Sequence, residues 1–149
     1  MEPITVNYKV LDARAKVPAY ATPGSAAADL CAVLDEPLTV QPMERVLVPT
    51  GLAIELPGAH SVALVYARSG LSIKHGLCMA NGVGVVDSDY RGELKVPMIN
   101  LGQGGLHHPA RGAGGAAVHR PGVHGSLCAG AGTGRHRPAA RAVLAPPGK

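Results

Sequence analysis

Phenylalanine and tryptophan are both absent from this chain of 149 residues, and tyrosine occurs four times. The core therefore falls to Val, Leu, Ile and Ala, which is thin for a monomer. No run of about 18 apolar residues occurs and no charged-then-apolar leader opens the chain, so neither a membrane span nor a signal peptide is expected and a cytoplasmic protein is the default. The three cysteines, Cys31, Cys78 and Cys128, leave an odd number without C-x-x-C spacing. That pattern argues against a disulfide framework and a zinc site and predicts free thiols. Acidic residues are missing from the last third: all ten lie at or before Glu93. Residues 1–103 carry eight Lys and Arg, a net of −2, whereas residues 104–149 carry six basic residues and no acid, a net of +6. The overall +4 is thus an average over two unlike parts.

What is present in residues 1–103 is a series of short apolar runs separated by Pro, Gly or Asp: Ile4 to Val10, Leu38 to Val40, Val46 to Val48, Leu52 to Leu56, Val62 to Tyr66, Val83 to Val86 and Leu94 to Ile99. Repeated short strands with turn signals predict an all-β sandwich or barrel, and no segment sustains a helical period. The length suits one domain with one core.

Three segments carry chemistry. Asn81 to Glu93 reads as a hairpin: Asn81 and Gly82 turn, Val83, Val85 and Val86 favour a strand, and Asp87 to Gly92 turns again with two carboxylates and a tyrosine. Such a hairpin can present backbone donors and acceptors to a flat ring while one carboxylate points at a reacting centre, which suits a nucleotide base. Arg68-Ser69-Gly70-Leu71 follows the run ending at Tyr66, so a guanidinium, a hydroxyl and a glycine amide emerge together, as phosphate oxygens require. Gly24 to Leu30 is a small-residue segment with Asp29 near its end.

In order and spacing these segments resemble three of the five motifs of trimeric dUTPases, the deoxyuridine triphosphate diphosphatase family: Ser25 to Leu30, Arg68 to Leu71 and Asn81 to Glu93. The resemblance covers about residues 4–103, an incomplete dUTPase-like β domain. Ala27 stands where the family usually has glycine, and Ala67 where it often has proline. The resemblance implies a jelly-roll or β-clip barrel assembled as a homotrimer with sites at subunit boundaries, dUTP as substrate and Mg²⁺ as cofactor. It implies that Asp87 activates the attacking water, and that Asn81 with Gly82, Val85, Val86 and Lys95 reads uracil. Tyr90 would lie against the deoxyribose and exclude a 2′-hydroxyl, Arg68, Ser69 and Gly70 would hold phosphates, and Asp29 would support the metal-phosphate region. No direct metal ligand is assigned, because Mg²⁺ keeps waters and binds through phosphates. A dCTP deaminase shares the fold but needs a different acid-base residue, and a non-catalytic dUTPase-fold protein that binds nucleotide or partner proteins is the alternative from another class.

From residue 104 onward the alternation stops, and Gly, Ala, Pro, Arg and His dominate. This composition makes no strand pattern and predicts disorder. His107, His108, His119, His124 and His136 follow no ligand spacing, and Gly130 to Gly134 lacks the strand and Gly-Lys-Ser/Thr end of a phosphate loop. Gly, Ala, Pro and Arg are the products of G- and C-only codons, as in a GC-rich gene read out of frame. Back-translated from Leu106 and read one base later, the codons permit Phe-Thr-Ile, any of four residues, then Pro-Gly-Glu-Arg-Val-Ala-Gln-Leu, which resembles the family's fourth motif with its lead-in strand. From Arg135 to Lys149 the remaining frame permits Ala-Thr-Ala-Arg-Gly-Ala-Gly-Gly-Phe-Gly-Ser-Thr-Gly-Lys, which resembles its glycine-rich fifth motif. Two compensating frame errors account for both, and the basic tail is accordingly no sign of nucleic-acid or membrane binding.

Overall fold

A computed structural model describes residues 4–109 and the backbone of 124–131 and 142–144. In chain order the elements are β1 (Ile4–Val10), β2 (Ala28–Cys31), β3 (Leu38–Val40), β4 (Arg45–Glu55), β5 (Ser61–Ala67), α1 (Ser69–His75), β6 (Leu77–Met79), β7 (Gly84–Val86), β8 (Glu93–Asn100), β9 (Leu106–His108), β10 (His124–Ala131) and β11 (Ala142–Leu144). One sheet runs β11-β1-β4-β8-β6, a second runs β2-β10-β5-β7, and β3 pairs with β9. Val6, Ile54 and Met98 from the first sheet meet Leu30, Ala63 and Val65 from the second in one buried cluster. Two sheets with their apolar faces together bear out the all-β sandwich.

Val, Leu, Ile and Ala dominate the core as expected, with Met79 and Met98 added where rings are missing. Cys31 is buried and Cys78 is partly exposed. The separate runs at Val46 and Leu52 belong to one strand, β4, whose pairing with β8 shifts register between Pro49 and Ala53. Pro49 has no N–H for the ladder, Gly51 takes φ +67, and the Thr50 hydroxyl donates to the Leu94 carbonyl at 2.7 Å instead.

Two expectations are corrected. The polar stretch 81–93 is not a hairpin of β7 on β8: β7 pairs antiparallel with β5, whereas β8 pairs with β6. The hairpin arms are β6 and β8, and β7 sits inside their long connection. Gly84 makes this feasible, because a β-carbon there would come within 3.1 Å of the Val65 side chain. The segment after residue 103 does supply strands, β9, β10 and β11. β10 pairs with β2 on one side and β5 on the other. A slot between two strand edges accepts an extended chain through backbone pairing, which needs no side-chain alternation. The expected disorder of 110–123, 132–141 and 145–149 concerns residues outside those described, as do His119 and His136.

Candidate functional site

Arg68 is placed by a change of element. The alternation of β5 buries Ala63 and Val65, ends at Ala67, and hands over to α1. Arg68 is its N-cap, with extended backbone at φ −71 and ψ 127. Its carbonyl accepts the Leu71 and Ser72 amides at 3.0 Å each and the Ser72 hydroxyl at 3.2 Å. Ser69 and Gly70 follow, both exposed. The Arg68 guanidinium faces Asp29, with Nη1 3.4 Å from Oδ2 and both side chains more than a third exposed. An ion pair this wet contributes about 0–1 kcal/mol, so its value is to aim the guanidinium. The pair reaches over β10, where Ser126 lies opposite both Asp29 and Tyr66.

The far end of α1 is closed by Gly76 at φ +69, whose amide donates to Ser72 O at 3.0 Å. Leu101 N donates to Gly76 O at 2.8 Å. The fully buried Asn100 then fixes the following loop: Nδ2 donates to Val40 O and Gly104 O, each at 2.8 Å, and Oδ1 accepts the Gly102 amide at 2.8 Å. Neither Gly76 nor Asn100 was expected from the motifs, although Lys74-His75-Gly76 is the basic last turn and glycine stop of a helix.

The second group lies in the connection 80–92. Gly82 takes φ +73, its amide reaching Met79 O at 3.1 Å, and Val83 N donates to Asn81 O at 2.8 Å. Asn81, Asp87, Tyr90 and Lys95 are all exposed, as is Val85, while Val86 is half-buried. The Asp87 carboxylate has no hydrogen bond or ion pair with another described residue, although its carbonyl accepts Tyr90 N at 3.1 Å. Arg91 ties the turn together, with Nη1 donating to Ser88 O at 2.7 Å and Tyr90 O at 3.0 Å. Glu93 anchors it below: Oε1 accepts Gly51 N at 2.9 Å, and Oε2 lies 3.5 Å from Lys95 Nζ. Arg91 and Glu93 lie inside the segment Asn81 to Glu93, and the sequence alone assigns them no role.

Register separates the two groups. Val86 pairs with Ala63, so Asp87 falls beside Val62, six residues back from Arg68 along β5. At about 3.3 Å per residue that places them about 20 Å apart. The structure thus brings Asp29 to Arg68, Ser69 and Gly70, and gathers Asn81, Gly82, Val85, Val86, Asp87, Tyr90 and Lys95 on one connection and its flanking strand, but does not join the groups within one chain. A cleft of about 460 Å³ beside α1, lined by Lys74, His75, Leu101 and Gly102, contains none of them. No three His, Cys, Asp or Glu side chains converge among the described residues.

Comparison with known proteins places this fold in a family. A family model described as dUTPase matches residues 13–108. The deoxyuridine 5'-triphosphate nucleotidohydrolase of Desulfitobacterium hafniense is 57% identical over 99 residues, 66% of this chain and 66% of that protein. That of Burkholderia cenocepacia is 54% identical over 100 residues, 66% of this chain and 68% of that protein. The matches therefore span about two thirds of these relatives. A mutant dUTPase of a Staphylococcus aureus phage, phi11, described with a structural Mg(II) ion, shares the fold at TM-score 0.66 and 19% identity, over 89% of this chain and 94% of that one.

Proposed function

Because this chain belongs to the dUTPase family, we propose that it is a dUTP diphosphatase, hydrolysing dUTP to dUMP and pyrophosphate by in-line attack of water on the α-phosphorus. The observation that carries this reading is the placement of the matching motif residues: Arg68, Asn81, Asp87 and Tyr90 are all exposed, where a nucleotide can reach them. Asp87 holds and deprotonates the water, and its unengaged carboxylate is free to accept that proton. β7 is the last strand of its sheet, so one backbone edge is open to the edge of uracil. Asn81, Gly82, Val85, Val86 and Lys95 serve that recognition, and Tyr90 covers the deoxyribose. Arg68, Ser69 and Gly70 bind phosphate, with Asp29 aiming Arg68.

The separation of about 20 Å supports a site shared between copies, since the Asp87 connection and Arg68 of one chain are too far apart for one triphosphate. A homotrimer, in which one copy's Asp87 faces another's Arg68, meets that requirement. Mg²⁺ would be held by phosphate oxygens and water, with Asp29 nearby, and would neutralise phosphate charge. No helix among the described residues is long and apolar enough to cross a membrane. A cytoplasmic setting without nucleic-acid partners belongs to the same proposal.

A second reading has its own support. The family match stops at residue 108, so the fourth and fifth motifs have no matched counterpart in the chain as written. A non-catalytic nucleotide-binding protein fits that state. Pyrophosphate release from dUTP, UTP and dCTP separates the readings, measured on this chain and on one with both frames restored. The expected result is turnover of dUTP far above UTP and dCTP, larger in the restored chain. Nucleotide binding without turnover in both chains would establish the non-catalytic reading, and release of ammonia from dCTP the deaminase.

A further inference from the structure

Tyr90 is held in a defined place. Its hydroxyl donates to the Glu93 carbonyl at 2.9 Å, which folds the side chain back over Gly92. A β-carbon on Gly92 would lie 2.5 Å from the Tyr90 Oη, 2.7 Å from Cζ and 3.2 Å from Cε2. The backbone does not require glycine there, because Gly92 is not among the residues with positive φ. Nothing but the Tyr90 ring lies among the three nearest atoms. Gly51 and Gly76 differ, each combining positive φ with crowding from several residues or from backbone. The turn itself is fixed without the ring, by the Arg91 bonds to Ser88 O and Tyr90 O.

We infer that Gly92 is a positioning residue for sugar selection: its missing side chain is the seat of the Tyr90 ring. This rests on the dUTPase reading, in which that ring closes off the space of a 2′-hydroxyl. An alanine at 92 forces the ring back by about 1 Å to reach ordinary carbon contact, and the bond to Glu93 O is lost with it. The ring then no longer stands fixed against the sugar, while the exposed turn keeps its backbone.

The test compares Gly92→Ala, Tyr90→Ala and the double variant in the full chain. Calorimetry gives the dUMP to UMP affinity ratio, and ¹³C-tyrosine NMR gives the contacts between the Tyr90 ring and residues 92 and 93. In Gly92→Ala the ratio should fall about tenfold or more, and the ring contacts to Glu93 should vanish with the thermal midpoint nearly unchanged. In the Tyr90→Ala background the same alanine should change nothing, because Gly92 acts only through the ring. A normal ratio in Gly92→Ala beside a relaxed one in Tyr90→Ala overturns the inference and leaves the dUTPase reading intact. Additive losses overturn it too. An unchanged ratio in Tyr90→Ala overturns both the sugar role of Tyr90 and the inference built on it. If the wild-type chain binds neither nucleotide, the dUTPase reading fails for this chain, and the selection role attributed to Gly92 fails with it.

Discussion

Arg68 and Asp87 stand toward opposite ends of β5, and the chain supports them by different means. Behind Arg68 the support is buried: a helix closed by left-handed Gly76, a loop pressed on that glycine, and the fully buried Asn100 bonding to Val40, Gly102 and Gly104. Around Asp87 it is at the surface, from Arg91, Tyr90 and the half-buried Glu93. A buried bonded amide and a crowded glycine are costly to change, whereas surface bonds exchange readily with water. Changes to the buried support behind Arg68 should therefore act through stability, and changes around Asp87 through binding and chemistry.

Asp87→Asn breaks the comparison at its sharpest point. In the frame-restored chain, removal of the base should lower turnover by about 10²- to 10⁴-fold while dUMP affinity and thermal midpoint stay near wild type. Loss of binding with normal turnover would show that the carboxylate serves the nucleotide and not the water. Gly76→Ala should do the reverse. Its β-carbon would meet Gly102 N at less than bonding-free distance and Gly102 Cα at 2.7 Å, and its φ of +69 is strained for alanine. We expect a loss of about 3 kcal/mol or more in urea unfolding. Asn100→Ala comes next, at about 2–3 kcal/mol, because Val40 O and Gly104 O lose their donor and the Gly102 amide its acceptor. Unchanged unfolding midpoints in both variants would remove the distinction between the two sides.

This division also explains what could be read from the residues. β1 and β3 coincide with their apolar runs, β5 and β8 extend theirs by one residue at each end, and β7 starts one residue later than its run, since alternation within a strand is local information. β2 and β6 were missed because Ala28–Cys31 and Leu77–Met79 contain no β-branched residue to mark them as strands. Partner choice was missed as well: whether β7 joins β5 or β8 depends on the close approach allowed by Gly84, which no pattern within residues 81–93 reveals. Of the candidate site, Asp29, Arg68, Asn81, Asp87 and Tyr90 are named through the resemblance of their segments to the family's motifs. Gly92, Glu93 and Asn100 act through contacts with Tyr90, Gly51 and Val40, and tertiary contacts of that kind leave no periodic trace.

The smallest effect is expected from the exposed ion network of Arg14. Its Nη2 lies 2.6 Å from Asp12 Oδ2 and 2.8 Å from Asp35 Oδ1, and the Leu11 and Asp12 amides donate to Gly51 O, the same bulge that carries Glu93. The side-chain and backbone hydrogen bonds from Arg14 hold the Asp12 carboxyl down to about 2 from an ordinary 3.8. A lowered carboxyl pKa stabilises the folded state above the unfolded value, and that contribution is lost as pH falls from about 4 to about 2. The same bonds raise the Arg14 pKa, which adds no titration near neutrality because the guanidinium is charged in both states. Both groups are in solvent, so salt and water screening keep the effect small. Thermal unfolding of wild type and Asp12→Asn should therefore differ slightly but constantly from pH 8 to about 5, with the difference shrinking below about 4. A difference that persists unchanged at pH 2 would mean that Asp12 works through its hydrogen bonds to the loop and not through its charge.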